Sequence, residues 1–315
     1  MERLVSRQGV EKVEINEVVK DLYNSIPNEN ILIGEPMKDH TSFKIGGLAD
    51  LFVAPTTIEA LTYIVRLCEK KRIPYYIIGN GSNLLVDDEG FRGVIIQIYK
   101  NLSDIKVEGN FITAYSGALL AKIANSALEY ELTGFEFAQG IPGTIGGALV
   151  MNAGAYGGEI KDVIISADVM DHKGNVMTLS KEELALGYRT SSIQTNDYIV
   201  LKAIIGLEPG KRDHIALTMR DLANRRRDKQ PLEMPSAGST FKRPEGYFAG
   251  KLIMDTGLQG YKIGGALVSE KHCGFVVSDG TATFKDVKEL IETIQLKVKE
   301  KFGVSLHPEI KIISN

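Results

Sequence analysis

Cysteine is scarce in this chain. Cys68 and Cys273 are the only two in 315 residues, and neither sits in metal-ligand or redox-pair spacing. A disulfide-framed scaffold and a cysteine-ligated metal are thereby excluded, and each cysteine reads as a small buried hydrophobe. Excess positive charge is lacking too. The 37 Lys and Arg stand against 40 Asp and Glu, so there is no electrostatic reason to bind nucleic acid. The first residues, Met1-Glu2-Arg3-Leu4-Val5-Ser6-Arg7, hold no apolar signal core. With so few cysteines, this sets the expectation of a cytoplasmic protein. No compact aliphatic run reaches the ~18 residues of a membrane span. What is present is ordinary globular composition, 43% hydrophobic and 24% charged, at a length that suits two or three domains with their own cores.

One uncharged stretch organises the rest. It reads Phe137-Ala138-Gln139-Gly140-Ile141-Pro142-Gly143-Thr144-Ile145-Gly146-Gly147-Ala148-Leu149-Val150-Met151-Asn152-Ala153-Gly154-Ala155-Tyr156-Gly157-Gly158. Pro142, Gln139, Asn152 and the glycines make it a poor hydrocarbon segment. Glycine weakens both helix and strand, so its density needs another reason. It serves where backbone takes positive φ or where a ligand approaches the main chain closely. Bare backbone N–H groups can then face phosphate oxygens or a flat heterocycle. A tightly packed loop with no ligand is the alternative.

A second glycine loop follows a βαβ pattern. Leu51-Phe52-Val53-Ala54 reads as a strand. Thr56 is the expected N-cap, with Glu59 completing a capping box. Ile58, Leu61, Ile64, Val65 and Cys68 form the buried helical face, Pro74 ends the helix, and Tyr75-Tyr76-Ile77-Ile78 is the next strand. Two strands joined this way are expected to run parallel. Gly79-Asn80-Gly81-Ser82-Asn83 then lies beyond a strand's carboxyl end, where α/β sheets bind ligands. It matches neither G-x-G-x-x-G nor a P-loop, and Asn-Gly is also common turn chemistry. Two such loops together favour a large nucleotide cofactor with two parts.

Elsewhere the periodicity predicts a helix from Ile15 to Ile26, with Ile15, Val18, Val19, Leu22 and Ile26 on one face. It predicts strands at Val94 to Ile98, Ile105 to Val107 and Phe111 to Ala114, then a helix from Leu119 to Tyr130. Strands at Ile164 to Met170, Val176 to Leu179 and Ile199 to Leu207 suggest an antiparallel second lobe, with the glycine stretch where the lobes meet. Pro209-Gly210 is the expected domain boundary. The following helix, Ile215 to Asp228, ends in Arg225-Arg226-Arg227-Asp228-Lys229. That run is either a solvated helix end matched to the dipole or a clamp for phosphate or carboxylate. Pro235 to Pro244 is turn-rich, Phe284 to Phe302 helical, and Glu309 to Ile313 a closing strand.

Several separated segments together resemble one family. They are Thr41-Ser42-Phe43-Lys44-Ile45-Gly46-Gly47, the 79–83 loop, Gly140 to Gly147, Asn152 to Glu159, Tyr188-Arg189, Pro235-Ser236-Ala237-Gly238-Ser239 and Glu309. From about Ile31 onward the chain is similar to the UDP-N-acetylenolpyruvoylglucosamine reductase (MurB) family, in its shorter subtype. The resemblance implies an α+β fold: a two-lobed FAD-binding domain of vanillyl-alcohol-oxidase (PCMH) type plus a C-terminal α+β substrate-binding domain. The corresponding boundaries are an arm at 1–30, lobes at 31–104 and 105–210, and a substrate domain at 211–315 whose last strand returns to the first lobe.

It also implies FAD, NADPH as reductant, UDP-N-acetylglucosamine enolpyruvate as substrate and UDP-N-acetylmuramate, a peptidoglycan precursor, as product. Hydride passes from NADPH by way of FAD to the substrate's β-carbon, and charge builds at the α-carbon and its carboxylate. By resemblance Ser239 is the proton donor, Arg189 meets the carboxylate and Glu309 acts at the carboxyl end. Read without the family, these are a turn hydroxyl, a surface arginine and a strand glutamate. The implied cofactor residues are Gly79, Asn80, Gly81, Ser82, Asn83, Leu84, Gly140, Ile141, Gly143, Thr144, Gly146, Gly147, Asn152, Gly154 and Ala155. Arg226 and Tyr156 are assigned to the sugar nucleotide. Ala237 stands where the family often has cysteine, which questions the packing of that loop more than its chemistry. Neither glycine loop holds a histidine, so the flavin is expected to be non-covalent, and no metal is expected. A sugar or alcohol oxidase of the same flavin fold, or a non-catalytic sugar-nucleotide binder, is the alternative.

Overall fold

The computed structural model describes residues 15–23 and 25–315. Two compact units emerge. The first holds the described residues up to Glu35, with Asp50–Asn80 and Arg92–Asn224; the second holds Pro36–Ala49, Gly81–Phe91 and Arg225–Asn315.

Unit 1 has two hydrophobic cores, as an arrangement of two lobes requires. The first lobe's sheet runs in the order Ile31–Pro36, Leu48–Val53, Phe91–Gln97, Tyr75–Ile78. The strand Tyr75–Ile78 pairs in parallel with Phe91–Gln97, which lies between it and Leu48–Val53. The crossover helix Ile58–Lys71 buries Leu61, Ile64, Val65, Leu67 and Cys68 against this sheet. Its N-cap is Thr57, not the expected Thr56: the Thr57 hydroxyl accepts from the Ala60 amide at 3.1 Å. Either threonine could cap by type, so the backbone decided, and Thr57 alone immediately precedes the first helical residue. The helix stops at Arg72, which takes a left-handed conformation two residues before Pro74. The N-terminal helix, Ile15–Leu22, is shorter than expected; Val18, Val19 and Leu22 are buried, Ile26 is buried beyond its end, and the Ile15 side chain lies outside the described residues.

The second lobe is antiparallel, with strands ordered Val176–Ser180, Ile164–Met170, Ile199–Gly206, Phe111–Tyr115, Ile105–Glu108. Leu120, Ile123, Ala124 and Ala127 of the helix Leu120–Glu129 pack on it, together with Ile145, Ala148 and Leu149 of the glycine stretch. Met170, Ile199 and Leu201 reach into the other lobe's core, so the lobes share apolar contact.

Unit 2 is built on the helix Phe284–Phe302. A reciprocal capping box of Thr283 and Asp286 starts it, and Gly303 at φ 69° ends it. Its buried stripe Val287, Leu290, Ile291, Ile294 and Val298 packs against Phe43, Ile45 and Leu85. Residues from two early segments therefore complete the C-terminal core. The closing strand Lys311–Ile313 runs parallel to Leu84–Val86, with Lys311 opposite Leu84. It thus returns to the segment after the 79–83 loop, and that segment groups with unit 2. The break in the chain falls between Asn224 and Arg225, within the helix Arg212–Lys229, rather than at Pro209-Gly210. Turn residues mark flexibility of the chain, whereas the division follows which apolar side chains are buried together.

Candidate active site

The two glycine loops meet within unit 1. A Cβ on Gly79 would stand 2.5 Å from the Oγ1 of Thr144. Thr144 cannot yield easily, because it is buried and caps the helix Ile145–Val150 by accepting from the Gly147 amide at 3.4 Å. Gly146 is held by its amide on the Ser116 carbonyl at 2.9 Å, and Gly143 accepts from the Leu120 amide at 3.0 Å. Gly140 and Ile141 are half-buried ahead of this turn. Past Asn80 the 79–83 loop enters unit 2. There Gly81 has φ +63° and an added Cβ would collide with the His40 carbonyl, so two constraints select glycine. Ser82 follows, Asn83 donates from Nδ2 to the Glu309 carbonyl at 3.1 Å, and Leu84 opens the strand that pairs with Lys311.

At the far end of the stretch, Gly154–Ala155 pairs antiparallel with Gly158–Glu159. Tyr156, at φ 55°, and Gly157 form the hairpin tip, and Tyr156 is exposed. A second tight turn, closed by paired Gly187 and Thr190, carries Tyr188 and Arg189. Arg189 also has a left-handed backbone, φ 54°, and its guanidinium lies 5.2 Å from the Tyr188 ring centre.

Asn152 ties these turns together. It is fully buried, at φ 43°, and its side-chain Nδ2 donates to the Gly187 carbonyl and to Glu159 Oε2, each at 3.0 Å. Its Oδ1 accepts from the Lys161 amide at 2.9 Å, and its carbonyl accepts from Arg189 Nη1 at 3.4 Å. The Asn152 side chain is thus engaged within the protein, and so is its backbone, whose amide donates to the Leu149 carbonyl at 3.3 Å. The hydrogen bond from Lys161 holds the Glu159 carboxyl below its ordinary range, with Asn152 and the charges of Lys161 and Arg189 adding to it and burial opposing.

Within unit 2, Ser239 and Glu309 come from distant parts of the chain to adjacent backbone. Phe241 bridges Pro308 antiparallel, the Lys242 amide donates to the His307 carbonyl at 2.8 Å, and the Glu309 amide donates to the Thr240 carbonyl at 2.8 Å. Ser239 is exposed and Glu309 half-buried. The loop ahead of Ser239 is fastened as well: Ser42 Oγ donates to the Ser236 carbonyl at 2.7 Å, and Ala237 is buried in the core. Arg226, in the last turn of Arg212–Lys229, donates from Nε to Gln230 Oε1 at 2.8 Å. Arg189 lies in unit 1, and Ser239, Glu309 and Arg226 in unit 2.

Comparison with known proteins now decides the family. Residues 49–180 match a family model described as an FAD binding domain, and residues 230–313 match the UDP-N-acetylenolpyruvoylglucosamine reductase C-terminal domain. A protein of that name from Clostridium botulinum (strain Hall) is 59% identical over 288 residues, covering 91% of this chain and 94% of its own. One from Caldanaerobacter subterraneus subsp. tengcongensis is 54% identical over 298 residues, covering 94% and 98%. The chain belongs to the UDP-N-acetylenolpyruvoylglucosamine reductase family. The crystal structure of the Thermus caldophilus reductase, MurB, superposes with a TM-score of 0.77 at 33% identity, over 90% of this chain and 98% of that one.

The unit 1 residues fit the FAD that membership in this reductase family implies. The glycine at 79 lets the two loops pack closely, with the Thr144 side chain against it, and no charged side chain interrupts 137–158. Among the described residues, Ser116 Oγ and Gln139 Oε1 are buried side-chain oxygens with no hydrogen-bond partner. Ser116 lies beneath Gly146 and Gln139 begins the glycine run, so both suit a heterocycle that carries donors and acceptors. Neither has a sequence signal beyond Gln139's place in the stretch. Cys68 and Cys273 are buried, and burial pushes the Cys68 thiol up to about 12, so it behaves as a packed hydrophobe. Among the described residues no helix is long and apolar enough to cross a membrane.

Proposed function

We infer that this enzyme reduces the enolpyruvyl double bond of UDP-N-acetylglucosamine enolpyruvate to give UDP-N-acetylmuramate, a peptidoglycan precursor. The observation that carries this is 59% identity to a reductase of that name across 91% of the chain. FAD is the bound cofactor and NADPH the reductant. Bound FAD supplies the hydride chemistry, linking NADPH oxidation to reduction of the double bond.

The chain's own residues supply binding, charge and a proton. Gly79 to Leu84, Gly140, Ile141, Gly143, Thr144, Gly146 and Gly147 hold the cofactor through backbone groups and the Ser82 and Thr144 hydroxyls, and Asn152, Gly154 and Ala155 continue that surface. Arg189 meets the substrate carboxylate, where negative charge grows as hydride reaches the β-carbon. Its planar guanidinium stays charged and pairs with a carboxylate through two parallel bonds. Ser239 gives its hydroxyl proton to the α-carbon. A serine hydroxyl is a weak acid, so it serves only beside a strongly basic carbanion and in a fixed position. Glu309 orients the carboxyl end, and Arg226 and Tyr156 hold the sugar nucleotide. The reaction belongs in the cytoplasm, where the buried free thiols of Cys68 and Cys273 remain reduced.

One titration tests this reading. The purified protein should show a flavin spectrum that NADPH bleaches and UDP-N-acetylglucosamine enolpyruvate restores without oxygen. A colourless protein, or a flavin restored by air but not by that substrate, would overturn it.

A further inference from the structure

Thr240 follows Ser239 and engages its amide, carbonyl and hydroxyl inside the protein. Its amide donates to the Gly274 carbonyl at 2.8 Å. Its carbonyl accepts from the Glu309 amide at 2.8 Å. Its Oγ1 accepts from the Val276 amide at 2.9 Å. The residue is 1% exposed, whereas Ser239 beside it is exposed.

These bonds join three separate segments. The Val276–Ser278 strand lies on one side, extended by the bridge from Val277 to Ser236. The Glu309 segment lies on the other and is pinned again from its far edge: Asn83 Nδ2 takes the Glu309 carbonyl at 3.1 Å, and the Lys311 amide donates to the Asn83 carbonyl at 2.9 Å. Glu309 is therefore fixed through both of its backbone groups, and its link to the serine loop runs through Thr240. The hydroxyl holds Thr240 from the opposite side, on the Val276 amide. Without it the Val276 amide loses its acceptor in a buried setting, and the serine loop is held to that side by backbone groups alone, among them the Thr240 amide on the Gly274 carbonyl and the Ser236–Val277 bridge.

We propose that Thr240 is a positioning residue, whose buried hydroxyl on the Val276 amide sets where the Ser239 hydroxyl stands relative to Glu309. The inference rests on the roles given above to Ser239 and Glu309. It follows that only the half-reaction needing the serine proton depends on Thr240. Misplacing a reacting group by about 1 Å can cost up to about 10²-fold in rate.

The test uses the FAD-loaded full chain and follows flavin absorbance by stopped flow. Thr240→Val keeps the shape and removes the acceptor. It should slow reoxidation by saturating UDP-N-acetylglucosamine enolpyruvate about tenfold or more, with KM little changed, while reduction by NADPH keeps its wild-type rate. Thr240→Ser should restore reoxidation to within about threefold, because it keeps the hydroxyl. If the valine protein does not fold, Thr240→Cys, with a weak sulfur acceptor, takes its place under the same expectation. Unchanged reoxidation with a lower melting temperature would overturn the proposal, as would equal slowing of both half-reactions or no recovery by serine. Ser239→Ala, run in parallel, separates the two readings. If it reoxidises at wild-type speed, the role of Ser239 falls; if it is slow while the valine variant is fast, only Thr240 falls.

Discussion

Arg189 donates from Nη1 to the carbonyl of Asn152 at 3.4 Å. The arginine proposed to hold the substrate carboxylate is thereby tethered to the glycine stretch proposed to hold the flavin. Asn152 repeats the tie by donating to the Gly187 carbonyl, at the base of the turn that carries Arg189. A left-handed backbone at both Asn152 and Arg189 is uncommon for residues with side chains, and such strain persists only where surrounding bonds enforce it. Here the enforcing bonds are those of the buried Asn152 amide.

Arg189→Lys is expected to keep the charge but lose the planar fork. Substrate reduction should fall by about tenfold or more, with flavin reduction by NADPH intact. Rapid mixing of reduced enzyme with the enolpyruvyl substrate reads this directly, and a wild-type rate would remove Arg189 from the mechanism.

Ser239→Ala should leave the flavin spectrum and its bleaching by NADPH unchanged. Loss of a positioned proton donor typically costs about 10²–10⁴-fold, so turnover with substrate should fall within that range. Ser239 is exposed, so removing its hydroxyl leaves no buried gap and folding is expected to be unchanged.

The Glu159 carboxyl is held low first by its hydrogen bond from Lys161. At mildly acid pH the folded protein therefore binds fewer protons here than the unfolded chain. The resulting stability is complete above the ordinary carboxylate pKa and is lost as pH falls through the lowered folded value. Glu159→Gln should flatten this part of the acid limb of a stability profile measured by urea unfolding. The effect should be small, because the pair is open to solvent. An acid limb identical to wild type would show that the network carries no pH linkage.

Gly79→Ala should place a Cβ against Thr144 Oγ1 and displace the cap of the Ile145–Val150 helix. A lost cap costs about 1 kcal/mol, and the close approach of the two loops is lost with it. The flavin-to-protein absorbance ratio after purification should drop, and added FAD should restore it only in part. Full loading would mean that the loops tolerate separation.

Local chemistry was enough for much of this protein. The helix Phe284–Phe302 follows from its apolar spacing, the Thr283 cap and Gly303, since each acts within a few residues. The uncharged glycine run likewise announced a main-chain surface, and the motifs around Arg189, Ser239 and Glu309 pointed to a family. Local signals could not say that Leu85 is buried with Leu290, that Asn83 would grip Glu309, or that Thr240 would link the serine loop to that glutamate. Those pairings join residues far apart in the chain, and periodicity carries no record of its distant partner. They were decided when apolar faces from separate segments were buried together and the backbone groups carried in with them had to find acceptors.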